Sequence, residues 1–139
     1  MNDCIFCRIA SGSVDPDLTV YEDAHVFIQI SLHQKTGNRG HLLVIPKQHV
    51  ANLFESPDEL DAPLFSAIRR ASTAVKKAFA ADGIQIRQNN EAAAGQDVFH
   101  LHFHVIPRYH EDAFDRSHYE LVPEEDRRNL ADRINGHIH

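Results

Sequence analysis

Apolar positions change their period several times along the chain, and each change marks an element. Residues 18–22 (L-T-V-Y-E) and 25–30 (H-V-F-I-Q-I) are β-rich runs split by Asp23-Ala24, the pattern of a hairpin. Residues 31–40 turn polar, with Gly37, Asn38 and Gly40, and read as a loop. The continuous apolar run H-L-L-V-I-P at 41–46 predicts a buried strand ending at Pro46. Beyond Ser56 the period lengthens: Leu60, Leu64, Ile68, Ala71, Val75 and Phe79 form the stripe of an amphipathic helix. Ser56-Pro57-Asp58-Glu59 has the form of a capping box with Ser56 at the N-cap, and Gly83 that of a helix stop. Residues 84–89 predict a strand, 90–97 a loop, and 98–106 another strand ended by Pro107. A last helix spans about 123–135, and a short helical turn fits 3–10, closed by Ser11-Gly12-Ser13. The order β-β-β-α-β-β-α implies an α+β fold with a mainly antiparallel sheet. Phe6, Phe27, Phe54, Phe65 and Phe79 are its core candidates.

Length sets this pattern in one domain, residues 1–139. The net charge of −6 argues against a general coat for a nucleic-acid polymer, which needs a basic footprint. No apolar run reaches the roughly 18 residues of a membrane span, so no membrane partner is expected. The start M-N-D-C-I-F-C-R lacks the regions of a signal peptide, so the expected location is the cytoplasm. In that setting Cys4 and Cys7, a C-x-x-C pair, point to metal or redox chemistry rather than to a disulfide framework.

Histidine is the compositional anomaly, with 11 in 139 residues. In His100-Leu101-His102-Phe103-His104, strand alternation puts three imidazoles on one face and Leu101, Phe103 and Val105 in the core. Three readings are open: a solvated strand face, a metal site, or nucleophilic and acid–base work on phosphorus. His41 opens the run G-H-L-L-V-I-P-K-Q-H, on the face of Leu43 and Ile45 or at the strand mouth. The loop N-N-E-A-A-A-G-Q at 89–96 can offer amides and backbone N–H groups to an anion.

Together H-L-H-F-H-V-I, G-H-L-L-V-I-P-K-Q-H, N-N-E-A-A-A-G-Q and C-I-F-C, with Tyr21-Glu22-Asp23, resemble the histidine-triad (HIT) superfamily, near its purine-nucleoside phosphoramidase branch. The resemblance covers a core of residues 3–109 and leaves 110–139 as a C-terminal extension. It implies a five-stranded, mainly antiparallel sheet with one long helix and shorter terminal helices, usually in a homodimer. The implied activity is hydrolysis of nucleoside phosphoramidates or related nucleotide conjugates at the α-phosphorus through a nucleotidyl-histidine. His102 would be the nucleophile, its other ring nitrogen held by a main-chain carbonyl, with His104 and His41 around the phosphate. Asn89, with Asn90 as the near alternative, would contact the nucleotide. Gln96 and the backbone of Val98 would contact phosphate oxygens. By the same resemblance Cys4, Cys7, His49 and His100 would hold a structural zinc, and no organic cofactor is expected.

Three departures from the family pattern bear on the substrate. Gln29 stands where relatives carry the Asp that binds ribose hydroxyls, replacing a charge-assisted bond with a neutral one. Asp97 replaces a Ser or Thr beside the phosphate; it would repel an α-phosphate, or instead turn away, pair with Arg108, or favour a cationic leaving group such as an amine. The 31–40 loop is longer by about four residues, and its His33, Lys35 and Arg39 could reshape the base or ribose end of the pocket. The Trp-containing tail of the phosphoramidase branch is missing, since the chain has no Trp. The alternatives to a hydrolase are a nucleotide-binding or sensor module, a dinucleoside polyphosphate hydrolase or nucleotidyl transferase, and a protein whose triad itself binds metal.

Overall fold

Alternation along the central strands sorts their side chains onto two faces, each with its own cover. A computed structural model describes residues 4–139; the start of the turn expected over 3–10 lies outside them. The described residues form α1 (Ile5–Ala10), β1 (Thr19–Glu22), β2 (Val26–Ile30), β3 (His33–Gln34), β4 (Leu42–Pro46), α2 (Asp61–Ala78), β5 (Gly83–Arg87), β6 (Phe103–Arg108), β7 (Glu120–Leu121) and α3 (Glu124–Asn135). Five strands pair antiparallel in the order β1-β2-β4-β6-β5, as expected of the fold class, and β3 with β7 forms a separate ribbon. One sheet face carries Val26, Ile28, Ile30, Leu42, Val44 and Val105 against the Leu64, Ala67, Ala71, Ala74 and Val75 stripe of α2 and Ile134 of α3. The run of alanines lets α2 lie close on the sheet. Phe27, Leu43 and Ile45 face the other way and meet Phe6 and Ile9 of α1. On that side α1 leaves part of the sheet uncovered.

The ends of α2 differ from expectation. Pro57 is extended (ψ 156), and two 3-10 turns, Leu53–Glu55 and Asp58–Leu60, precede the helix, which opens at Asp61. Ser56 is therefore displaced from the first helical turn; its buried Oγ has no partner among the described residues and forms no capping box. At the other end Ala80, not Gly83, takes the left-handed conformation (φ 50), and Ala81 N–H donates to Lys76 C=O at 3.1 Å, closing a Schellman motif. Gly83 instead begins β5. That strand ends at Arg87 rather than residue 89. Phe54 and Phe65 are 75% and 70% exposed, not core. Phe65 stands one residue off the α2 stripe, a rotation of about 100° away from the sheet.

The 31–40 segment is more ordered than a polar loop. It contains β3 and a 3-10 turn, Thr36–Asn38, and Val122 N–H ties it to the C-terminal segment through Leu32 C=O at 2.8 Å. Residues 110–139 supply Phe114, Val122, Leu130, Ala131 and Ile134 as buried side chains. Buried Gln34 organises the turn into β4: its Nε2 donates to Ser31 and His41 carbonyls, and its Oε1 accepts from Gly40 N–H at 2.9 Å. Gly40 has φ +111, and a Cβ there would lie 2.5 Å from Phe79 Cε2. Gly40→Ala should therefore cost about 2–5 kcal/mol, adding backbone strain to overpacking. Urea denaturation checks this against Gly37→Ala, where an added Cβ meets nothing within 4 Å.

Candidate functional site

The uncovered part of the sheet, beside α1, forms a cleft of about 570 Å³. Strand pairing sets one row of residues across its floor: Gln29↔Leu43, Leu43↔His104 and His104↔Arg87. Paired residues point to the same face, so Gln29 and Arg87 mark opposite ends of the row with His104 between them.

The histidine segment does not form one strand over 98–106. β6 begins at Phe103, and it continues through Pro107 to Arg108 because Leu42↔Val105 is the last pair with β4. Ahead of it Leu101 N–H donates out of the sheet to Val50 C=O at 2.8 Å. This break separates the three imidazoles. His100 is fully buried and turns away from the cleft, whereas His102 and His104 line it; Leu101 and Val105 are buried on the helix side, where half-buried Phe103 also packs.

His102 Nδ1 lies 2.8 Å from the His100 carbonyl. A carbonyl only accepts, so Nδ1 carries the proton and Nε2 keeps its lone pair. His41, immediately ahead of β4 and on the face of Leu43, places Nε2 2.9 Å from His104 Nδ1. The buried His41 Nδ1 has no partner among the described residues. An unpaired acceptor there costs less than an unpaired donor, which assigns the shared proton to His41 Nε2 and leaves His104 Nε2–H as a donor. Burial, with His102 and Arg87 adding to it, lowers the His104 pKa to about 4. His41 is pushed well below its usual range by burial, then by His104 and Arg87. Both rings are neutral at pH 7 in the open cleft.

The loop of residues 88–98 closes one side. Asn89, Asp97 and Val98 line the cleft. Asn90 does not; its amide bonds to Gln88 and to Leu53 N–H. Gln96 also lines it, but its amide is spent on the backbone, donating to Ala51 and Val98 carbonyls and accepting from Glu91 N–H. Gln96 thus holds the loop, and its side chain is not free for the phosphate contact expected of it. Asp97 is exposed and does not pair with Arg108, which Asp112 holds at 2.9 Å. Gln29 is buried on β2, and its Oε1 has no partner among the described residues. His33 borders the cleft, but Lys35 does not. The Lys35 ammonium is buried over the Phe114 ring and donates to the Phe114 carbonyl, so it cannot shape the pocket as expected.

Cys4, Cys7, His49 and His100 converge behind His102, with one ligand atom from each within 4.8 Å of the others. Cys4 Sγ to His100 Nδ1 is 3.3 Å, Cys7 Sγ to His49 Nδ1 3.3 Å, and His49 Nδ1 to His100 Nδ1 3.1 Å. A tetrahedral ion with Zn–S and Zn–N bonds of about 2.3 and 2.0–2.1 Å has ligand–ligand edges of about 3.3–3.8 Å. His100 Nε2–H donates to Pro46 C=O at 2.7 Å, which fixes its Nδ1 as an electron-pair donor. The donor set and its spacing fit a closed metal site.

Two cleft residues carried no signal strong enough to be singled out in the sequence. Arg87 is the one charge in the I-Q-I-R-Q-N strand, and its position opposite His104 follows only from register. Its Nη2 donates to the Tyr119 hydroxyl at 2.7 Å. Tyr119, in a polar stretch, reaches the cleft because β7 pairs with β3.

A profile described as the HIT domain matches residues 13–111. The protein named "Protein hit" of Bacillus subtilis is 40% identical over 94% of this chain and 91% of its own length. "Adenylylsulfatase HINT3" of Arabidopsis thaliana is 40% identical over 80% of this chain, though the match spans 55% of that protein. "Adenosine 5'-monophosphoramidase hnt1" of Schizosaccharomyces pombe is 37% identical over 78% of this chain and 77% of its own. Among solved structures, a HIT-like protein of Bartonella henselae superimposes with a TM-score of 0.87 at 36% identity, covering 99% of this chain and 98% of that one. A Zn-bound histidine-triad protein of Mycobacterium smegmatis gives 0.81 at 32% identity, covering 97% and 92%.

Proposed function

The chain belongs to the HIT domain family, and from that premise we propose that it hydrolyses nucleoside phosphoramidates or related nucleotide conjugates at the α-phosphorus. The observation that carries this is the His102 ring, with Nδ1–H held by the His100 carbonyl and an Nε2 lone pair available in the cleft. Two relatives named for release of a group from adenylyl phosphorus support the chemistry.

The nucleoside end lies at β2. There the unpartnered Oε1 of Gln29 accepts from a ribose hydroxyl, relieving a buried orphan acceptor. Asn89 and the backbone near Val98 hold the phosphate, and His104 Nε2–H donates to a phosphoryl oxygen. In the first step His102 Nε2 forms a bond to phosphorus, and the bond to the leaving group breaks with its electron pair, an amine taking a proton from solvent water as it departs. In the second, water attacks phosphorus, the N–P bond breaks, and the monophosphate departs. Neutral His41 and His104 can each take up a proton as phosphate charge enters their surroundings.

Cys4, Cys7, His49 and His100 hold a structural zinc that ties α1 to the sheet and supplies no chemistry at phosphorus. Their thiols suit the cytoplasm. A second copy of the chain is the assigned protein partner, joining at the open edge of β5, where Ile86 is exposed.

Adenosine 5′-phosphoramidate tests the activity. Mixing enzyme and substrate in comparable amounts, with a base-stopped time course and intact-mass measurement, should show a transient adenylyl adduct on the protein and accumulating AMP. AMP binding without adduct or turnover would instead favour a nucleotide-binding module, for which the Gln29 and Asp97 departures speak.

A further inference from the structure

Arg87 has no role in the two steps above, yet it occupies the far end of the cleft row from Gln29. At a strand spacing of about 4.8 Å, three spacings separate the two ends by roughly 14 Å. Two features make Arg87 a binding group rather than a solvated surface charge. Its Nη2 is anchored on the Tyr119 hydroxyl at 2.7 Å, while its Nε is buried without a partner among the described residues. No carboxylate lies within 4.0 Å of its guanidinium among the described residues. The side chain is only half-buried, so it keeps a face toward the cleft.

We infer that Arg87, positioned by Tyr119, forms a leaving-group subsite that selects an anionic oxyacid, sulfate or phosphate, over a neutral amine. The inference rests on the nucleotidyl-transfer chemistry proposed above. His102 attacks in line, so the leaving group departs on the side of phosphorus away from it. Along β6 the direction away from His102 leads to His104, and Arg87 is the register partner of His104 on the next strand. With the nucleoside at Gln29, the departing group is left the end of the cleft that Arg87 and Tyr119 help to line. A guanidinium offers directed N–H donors to oxyanion oxygens. Asp97 is the opposing charge in the cleft, but it is exposed, and solvent screens it more than the half-buried guanidinium.

The chemistry balances. His102 Nε2 bonds to phosphorus as the bond from phosphorus to the bridging oxygen breaks, and sulfate or phosphate leaves with the bonding pair. Water then supplies the oxygen that displaces His102, releasing AMP and a proton.

The test measures kcat/KM for adenosine 5′-phosphosulfate, ADP and adenosine 5′-phosphoramidate in the full chain and in Arg87→Gln, Arg87→Lys and Tyr119→Phe, each checked for folding by its melting temperature. Arg87→Gln should lower the ratio of anionic to amine substrate by about tenfold or more, the size of one lost charge-assisted contact. Arg87→Lys should recover part of that ratio, and Tyr119→Phe should lower it less. The better of the two anionic substrates identifies the oxyacid. An unchanged ratio in Arg87→Gln, with turnover present, overturns the subsite alone, as does a larger loss on the amine. Absence of turnover with all three substrates overturns the subsite together with the hydrolase assignment.

Discussion

Replacing His102 with alanine should lower kcat/KM for adenosine 5′-phosphoramidate by about ten-thousandfold or more, because covalent catalysis has no substitute once its nucleophile is gone. The structure gives this substitution little else to disturb. His102 is half-buried, and among the described residues its one side-chain hydrogen bond goes to the His100 carbonyl. AMP affinity, read by calorimetry, should stay within about tenfold, since Asn89, Gln29 and His104 remain. Metal content should also hold, because none of the four converging ligand side chains is touched. The three readouts separate three ideas. Activity that survives within a hundredfold would place the nucleophile elsewhere. Loss of metal with His102 would mean that the triad itself ligates it.

Removing one ligand of the Cys/His cluster should give the largest stability change. Cys7→Ala is expected to purify without zinc and to melt about 10–20 °C lower than wild type, corresponding to about 3–5 kcal/mol. The physical cause is local. Phe6 and Ile9 of α1 are the apolar cover over Phe27, Leu43 and Ile45, and six residues of helix cannot hold themselves in place. With the ion lost, His100 keeps its Pro46 bond, but its Nδ1 is buried with no charge to meet. Burial already holds the His100 pKa below its ordinary value, so protonation is a poor remedy. Elemental analysis of wild type checks the premise. A metal-free protein with a Cys4–Cys7 disulfide would support the redox alternative instead.

The parts of the fold legible in the sequence were those where a local pattern and the tertiary environment agree. The apolar run at 42–46 is buried on both faces, and the α2 stripe meets the sheet at the periodic positions. Ser56 and Gly83 failed as helix boundaries because extended Pro57 and left-handed Ala80 set the ends through backbone geometry, which composition does not reveal. The histidine segment misled for a related reason. Alternation at 98–106 describes side chains well enough, but the hydrogen bond from Leu101 to Val50 breaks the strand and sends His100 into a different site from His102 and His104. Motif resemblance reached residues that periodicity cannot rank, such as Gln29 and Asn89, both in the cleft. Arg87 and Tyr119 stayed hidden because each gains its place only through pairing with a distant strand.

The bond from Cys4 to His100 spans 96 positions, and that separation has a consequence for the order of events on the ribosome. Cys4 and Cys7 are synthesised well before their partners His49 and His100. Until His100 has been synthesised, the two thiols remain a bare pair able to engage any thiophilic ion or oxidant they meet. The main-chain carbonyl that orients the His102 ring belongs to the residue whose side chain completes the cluster. Closing the cluster and orienting the His102 ring therefore both wait on residue 100.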